Sequence, residues 1–357
     1  MNLNRKLVLA DGTVFFGRAF GANGEVIREV VFQTAKTGYE DILTDPDNCH
    51  QIVVMTSPVE ENPTPCSDAY DPTQGASALI IGTYTDTALD ARLPQSLDAF
   101  LKMHHIPGLC DVDTVALSKK IHSDGVMYGI LVDADVSDDE ALVRLTAAPH
   151  VTNHVKQVSP KQSYTVTVRH KKHRIALIAF TAKKGILNEL VARQCEVVVF
   201  PYNASLAEIE ASEPDGVVFS SGPGDPEDLP ELLPIIRALQ ARYPLFGVCL
   251  GHQLFAIANG ATTSKMKSGH RDEDVLIYDI ISGKTLRTVQ NHGYHVDADS
   301  LTKTDLEITQ YAIGDHSIEG LKHKAYPAFS VQYHPEAAPH THDTNDLFDQ
   351  FLEMLGK

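Results

Sequence analysis

Phe246-Gly247-Val248-Cys249-Leu250-Gly251-His252-Gln253 places a cysteine with one glycine two residues before it and another two after. An apolar, strand-like run precedes it and a helix-like run follows. This is the glycine–x–nucleophile–x–glycine arrangement of a strained strand-to-helix turn, with sulfur where many hydrolases carry a serine oxygen. Such a turn brings the flanking positions too close together for side chains. It leaves the thiol exposed at a helix N-terminus, where the positive end of the dipole favours thiolate. It also points the Leu250 N–H to where an oxyanion would form. A buried structural cysteine followed by a glycine turn has the same spacing, so the motif alone leaves both readings open.

A thiolate performing acyl transfer needs a histidine to manage protons and an acid to orient that histidine. The chain has 17 histidines, so only placement can single one out. In Ala328-Phe329-Ser330-Val331-Gln332-Tyr333-His334-Pro335-Glu336 an apolar run leads into a proline. The i, i+2 spacing projects His334 and Glu336 to one side if extended geometry persists, and Pro335 marks the end of the strand. A solvent-exposed histidine at a strand end is the alternative. A third element, Ser220-Ser221-Gly222-Pro223-Gly224-Asp225-Pro226, lets backbone N–H groups approach a ligand and line an anion pocket, or is simply a loop. It is not a phosphate-binding loop, since no Lys-Ser/Thr follows. Gly283-Lys284-Thr285 fails the same test because Tyr278 stands where the first glycine belongs. Pro339-His340-Thr341-His342-Asp343 matches no zinc spacing, so no metal site is expected. Cys49, Cys66, Cys110 and Cys195 lack an elbow context, and Cys195 opens a buried strand.

The elements that must position these residues read differently in the two halves. The chain length of 357 residues predicts two domains. Residues 1–150 open with a hairpin, KLVLADGTVFFGRAFG, turning at Asp11-Gly12 and closed by Gly17. Strands at 51–56 and 78–85 follow, with helices at 96–108 and 115–125, a mixture without regular alternation that reads as α+β. Residues 151–172, poor in core-sized side chains and ending in a basic cluster, read as a linker with one edge strand at YTVTV. From 173 to 357 the pattern is α/β: continuous apolar strands (RIALIAF, CEVVVFP, DGVVFS, PLFGV) alternate with amphipathic helices. That alternation predicts a mostly parallel open sheet with helices on both faces. Ligands of such sheets bind at the carboxyl ends of the strands, where all three motifs fall.

Lys plus Arg is 30 and Asp plus Glu 47, a formal net charge of −17. That balance opposes a nucleic-acid footprint, which needs a basic face, and suits a protein handling small molecules. No apolar run approaches a membrane span, and MNLNRKLVLADG has no signal-peptide core. Five cysteines without an export signal suit a reducing cytosol, so a cytoplasmic location is expected.

Together GVCLGHQ, SSGPGDP and YHPE resemble the class I, triad-type glutamine amidotransferases, and QNHGYHVD (290–297) resembles their substrate-pocket loop. Leu9-Ala10-Asp11-Gly12-Thr13, Glu29-Val30-Val31-Phe32, Thr37-Gly38-Tyr39, Ile42-Leu43-Thr44-Asp45-Pro46 and Ile106-Pro107-Gly108 extend the likeness over nearly the whole chain. They make it similar to the small subunit of carbamoyl phosphate synthetase. Anthranilate synthase and GMP synthetase glutaminases share the second half and lack the first. The resemblance implies Cys249 as nucleophile, His334 as general base and then acid, and Glu336 as its orienting carboxylate. It implies that Leu250 and the Gly222–Gly224 loop stabilise the oxyanion, and that Asp47, Gln253, Asn291, Gly293 and Tyr294 stand where glutamine is held. It also implies a large subunit that receives ammonia through a tunnel and makes carbamoyl phosphate from bicarbonate, for arginine or pyrimidine synthesis. ATP and metal ions are expected on that partner, with no cofactor in this chain.

The chain departs from the family pattern in three places. Asp47 replaces the usual serine; a carboxylate there either accepts hydrogen bonds or repels the substrate carboxylate. The segment Ser268-Gly269-His270-Arg271-Asp272-Glu273-Asp274 reads as an altered, shortened loop, and Ser57-Pro58-Val59-Glu60-Glu61-Asn62 replaces an aromatic-rich stretch. A glutaminase subunit of another synthetase, or a diverged non-catalytic regulatory subunit, are the competing expectations.

Overall fold

The computed structural model describes residues 3–34, 39–55, 74–84, 96–337 and 344–356. Thr37-Gly38, the segment 57–62, Cys66 and the 339–343 loop lie outside them. The chain divides into two compact units, Met1–Val151 with Lys267–Arg271, and Thr152–Met266 with Asp272–Lys357.

In the first unit the elements are β1 (Arg5–Leu9), β2 (Val14–Gly21), β3 (Val26–Gln33), α1 (Tyr39–Thr44), β4 (Gln51–Met55), β5 (Ala78–Ile81), α2 (Leu97–Met103), β6 (Pro107–Cys110), α3 (Thr114–Asp124), β7 (Met127–Asp133) and α4 (Asp138–Ala147). The strands close into a barrel in the order β1-β2-β6-β5-β4-β3-β7. Leu7, Val30, Ile52, Ile80, Leu109 and Leu131, from six of its strands, share one core with Leu117 and Ile121 of α3. Period-two alternation produces this, since each strand sends every second side chain to the same face. The expected hairpin forms, with Gly12 at φ 86 in its turn. Gly17 does not close it: β2 runs on to Gly21, and a Cβ at Gly17 would come 2.4 Å from the Cys110 carbonyl oxygen. The expected 96–108 helix stops at Met103, and Pro107–Cys110 is a barrel strand instead. Residues 268–274 are not a loop. They lie within one long strand, of which 267–271 belongs to the first unit, where Thr34 N–H donates to the Arg271 carbonyl at 3.3 Å and Val126 N–H to that of Lys267 at 2.7 Å.

The second unit begins earlier than the alternating pattern suggests. Residues 151–172, expected as linker with an edge strand at YTVTV, contribute that strand, β8 (Tyr164–Val166), and also a helix, α5 (His154–Val158). Ser159 secures this segment: its buried hydroxyl donates to the Ala179 carbonyl at 2.8 Å and accepts from Tyr202 N–H at 3.0 Å. Then come β9 (His173–Ala179), α6 (Gly185–Ala192), β10 (Cys195–Pro201), α7 (Leu206–Ala211), β11 (Gly216–Phe219), α8 (Leu232–Gln240), β12 (Leu245–Val248), α9 (Leu250–Ala258), β13 (Thr263–Asp279), β14 (Lys284–Val296), β15 (Leu306–Ala312), β16 (Ile318–His323), β17 (Ala328–Val331) and α10 (Asp346–Glu353). The ten-stranded sheet runs β14-β13-β15-β16-β17-β12-β11-β9-β10-β8. Its centre, β10-β9-β11-β12-β17, is parallel. The pairings β8 to β10, β16 to β17, β15 to β16 and β13 to β15 are antiparallel. Alternate residues of β9 enter opposite cores. Ala176 and Ile178 pack with α8 and α9, whereas Ile175, Leu177 and Ala179 pack with α6 and α10. Continuous apolar strands covered by helices on both faces follow from that division.

Candidate active site

Three neighbouring parallel strands, β11, β12 and β17, end side by side. Phe219 pairs with Gly247, and Val248 with Val331. The residues just beyond these pairs are therefore Ser220, Cys249 and Gln332, and the three motifs meet at one edge of the sheet. Two backbone hydrogen bonds fix the meeting: Cys249 N–H to the Val331 carbonyl at 2.9 Å, and Gly251 N–H to the Ser220 carbonyl at 3.1 Å.

Cys249 has φ 53 and ψ −104, a conformation L-residues rarely adopt, at the junction between β12 and α9. The surrounding fold enforces this strain, a pattern that clusters at functional sites. Both flanking glycines are sterically required. A Cβ on Gly247 would lie 2.7 Å from the Gly251 carbonyl oxygen, and one on Gly251 would lie 2.5 Å from that of Phe219. Contrary to the expected exposure, Cys249 is only 2% exposed. Leu250 is the first helical residue, among the amides that have no intrahelical acceptor. The Gly222 α-carbon faces its side chain, since a Cβ there would come 2.8 Å from Leu250 Cδ2 and 2.7 Å from Phe180 Cβ. Gly224, at φ 96, packs instead against the His154 imidazole, which a Cβ would approach to 2.9 Å. Ser220 ties the loop to the end of β9, accepting from Phe180 N–H at 2.9 Å and donating to the Ser221 carbonyl at 2.8 Å.

His334 Nδ1 meets Glu336 Oε1 at 3.0 Å, and the imidazole also interacts with the Cys249 side chain. The extended geometry expected to align His334 with Glu336 does not persist. β17 ends at Val331, and Pro335–Ala337 form a 3-10 turn that brings the carboxylate back to the ring. Burial opposes charge on His334, but the Glu336 carboxylate and the Cys249 side chain outweigh it and hold the imidazole pKa well above the usual histidine value. That direction favours the imidazolium over the neutral ring.

The third wall is β14. His334 N–H donates to the Val289 carbonyl at 2.9 Å, and the Cys249 sulfur lies 4.0 Å from the Asn291 carbonyl oxygen. Gln253 Nε2 donates to the Tyr294 carbonyl at 2.9 Å and to Gln332 Oε1 at 3.0 Å. Asn291, Gly293 and Tyr294 are half-buried along the same stretch of strand. The structure thereby brings Cys249, His334, Glu336, Gly222, Leu250, Gln253, Asn291, Gly293 and Tyr294 into one neighbourhood. Asp47 belongs to the first unit, buried in the 3-10 turn Pro46–Asn48, where its N–H donates to Asp45 Oδ1 at 2.9 Å.

Two participants carry no motif of their own. Gln332 is fully buried, and its Nε2 approaches the Cys249 sulfur to 3.7 Å. Gly185, the first residue of α6, leaves room for Glu336, since a Cβ there would come 2.6 Å from Glu336 Cγ. His252, next to the elbow glycine, is a core residue: burial lowers its pKa to about 3, and its Nδ1 meets Ser330 Oγ at 2.9 Å.

Residues 177–354 match the family model of class I glutamine amidotransferases, and residues 7–131 match the carbamoyl-phosphate synthase small chain, CPSase domain. The chain is 43% identical to the carbamoyl phosphate synthase small chain of Oceanobacillus iheyensis over 98% of its length and 96% of that protein's. It is 46% identical to the carbamoyl phosphate synthase pyrimidine-specific small chain of Bacillus subtilis, over 99% of this chain and 96% of that one.

Proposed function

The chain belongs to the carbamoyl phosphate synthase small chain family, and from that membership we propose that Cys249, His334 and Glu336 hydrolyse glutamine to supply the synthase with ammonia. Its activity is that of the glutamine-hydrolysing subunit. The observation that carries the assignment of residues is the strained Cys249 backbone beside the coupled His334–Glu336 pair.

His334 takes the Cys249 thiol proton, the sulfur bonds to the side-chain carbonyl carbon of glutamine, and the carbonyl electron pair moves onto oxygen. The Leu250 and Gly222 N–H groups face that oxyanion. His334 gives its proton to the amide nitrogen, the C–N bond breaks, and ammonia leaves behind a glutamyl thioester. Water then loses a proton to His334 and attacks the thioester. The C–S bond breaks, and glutamate departs. Glu336 keeps the imidazole ring oriented and balances its charge throughout. Gln253, Asn291, Gly293 and Tyr294 hold the glutamine.

The partner is the synthase's large subunit, which takes the ammonia through an internal passage and carries the ATP and metal ions for carbamoyl phosphate formation from bicarbonate. Among the described residues no helix is long and apolar enough to cross a membrane. The test is Cys249→Ser in the two-subunit complex. Glutamine-driven synthesis should fall by at least about 1,000-fold, while synthesis from added ammonia persists. Equal loss of both routes would make Cys249 structural, and undiminished glutamine hydrolysis would remove it from the reaction.

A further inference from the structure

We propose that Gln332 is a further catalytic residue of this site, its side-chain amide donating a hydrogen bond to the Cys249 sulfur and holding the charged sulfur for attack and departure; this rests on Cys249 being the glutaminase nucleophile. Gln332 has no exposed surface, and its Nε2 stands 3.7 Å from the sulfur. An amide nitrogen can only donate, so its roles are fixed by its neighbours. Its oxygen is occupied by Gln253 Nε2 at 3.0 Å, and Gln253 is anchored in turn on the Tyr294 carbonyl at 2.9 Å. These contacts orient the Gln332 amide with its nitrogen toward sulfur. Its own backbone N–H is held by the Glu319 carbonyl at 2.9 Å. The placement follows from register, because Val248 pairs with Val331 and the next residues on the two strands are Cys249 and Gln332.

The opposite neighbour of the sulfur is an acceptor, the Asn291 carbonyl oxygen at 4.0 Å. The sulfur therefore has an acceptor for the thiol form and a donor for the thiolate form. Hydrogen bonds to charged groups are worth more than neutral ones, particularly where water is excluded, so the amide favours the thiolate. The same donor acts twice in the cycle. It steadies the thiolate before the C–S bond forms, and it receives the thiolate again when water breaks the thioester. Carbonyl-oxygen stabilisation by Leu250 and Gly222 does neither.

The test is alkylation of Cys249 by iodoacetamide, with the labelled residue mapped and Cys249→Ser as the blank. This reads the sulfur directly and does not depend on whether glutamine is the substrate. In Gln332→Met, which keeps length without a donor, the alkylation rate at neutral pH should fall about tenfold, as loss of one hydrogen bond to a charged group predicts. The rate-versus-pH curve should also move to higher pH. Gln332→Glu, of nearly identical shape, should move it further, because a carboxylate repels the thiolate. In both variants kcat for glutamine should fall more than KM rises. Unchanged alkylation profiles in Gln332→Glu would overturn the proposal, whatever happens to folding in Gln332→Met. Failure of Cys249→Ser to stop glutamine hydrolysis would instead overturn the function on which it rests.

Discussion

Gly185 has no chemistry of its own, yet it decides where the Glu336 carboxylate can go. With a Cβ 2.6 Å from Glu336 Cγ, Gly185→Ala forces the acidic side chain to shift. The shift acts on the 3.0 Å contact to His334. Mispositioning within a catalytic set by about 1 Å costs about 100-fold in rate. We expect Gly185→Ala to lower kcat by about that factor while KM for glutamine stays within about twofold, as steady-state glutaminase kinetics would show. An unchanged kcat would mean that the carboxylate finds an equivalent position. The same logic separates the two loop glycines. Gly222 faces Leu250, whereas Gly224 faces His154. Gly222 is thus packed between Leu250 and Phe180, while Gly224 shapes the loop through its positive φ and its contact with the imidazole.

At the scale of elements, α5 shows how a segment with few core-sized side chains still belongs to a folded unit. Val155 and Val158 are buried, and Ser159 bridges β9 and β10 with two hydrogen bonds at a position only 3% exposed. Removing that hydroxyl takes the partner from the buried Ala179 carbonyl and from the partly buried Tyr202 N–H. Ser159→Ala should therefore cost about 1–3 kcal/mol, measured by urea unfolding of the second unit's signal. A linker serine would cost nothing measurable. The expected and observed element boundaries differ for a related reason. Pro107-Gly108-Leu109-Cys110 lacks the length and β-branched content of a predicted strand, but its neighbours β2 and β5 supply both edges for pairing. Such pairing is non-local, so the local run cannot announce it.

For the whole molecule, two buried histidines pull stability in opposite directions with pH. His252 is kept neutral down to about pH 3, mainly by burial. The unfolded chain protonates it near pH 6.5. Its contribution is therefore complete above pH 6.5 and is lost as pH falls from there toward 3, at up to about 1.4 kcal/mol per pH unit. His334 has the reverse sign. Its folded pKa lies above the unfolded one, so its contribution is complete below about 6.5 and is lost as pH rises through the raised folded value. We expect His252→Asn to lower stability at neutral pH but to flatten its decline between pH 6.5 and 4.5, as denaturant midpoints measured across that range would show. Parallel slopes for parent and variant would contradict the assignment of that decline to His252.

The order of apolar strands and amphipathic helices, and the glycines flanking Cys249, were legible in the sequence because they reflect local requirements: burial on two faces of a strand, and a turn too tight for side chains. The adjacency of His334 and Glu336 was legible as a pairing but not as a geometry, since a 3-10 turn makes the contact that an extended strand was expected to make. The amide beside the sulfur and the glycine beneath Glu336 left no signal in the linear pattern. Glutamine and glycine are common residues, and their roles arise from the register of β12 against β17 and from the packing of α6 on the turn after it. Those are distances between segments remote in the chain, and only folding sets them.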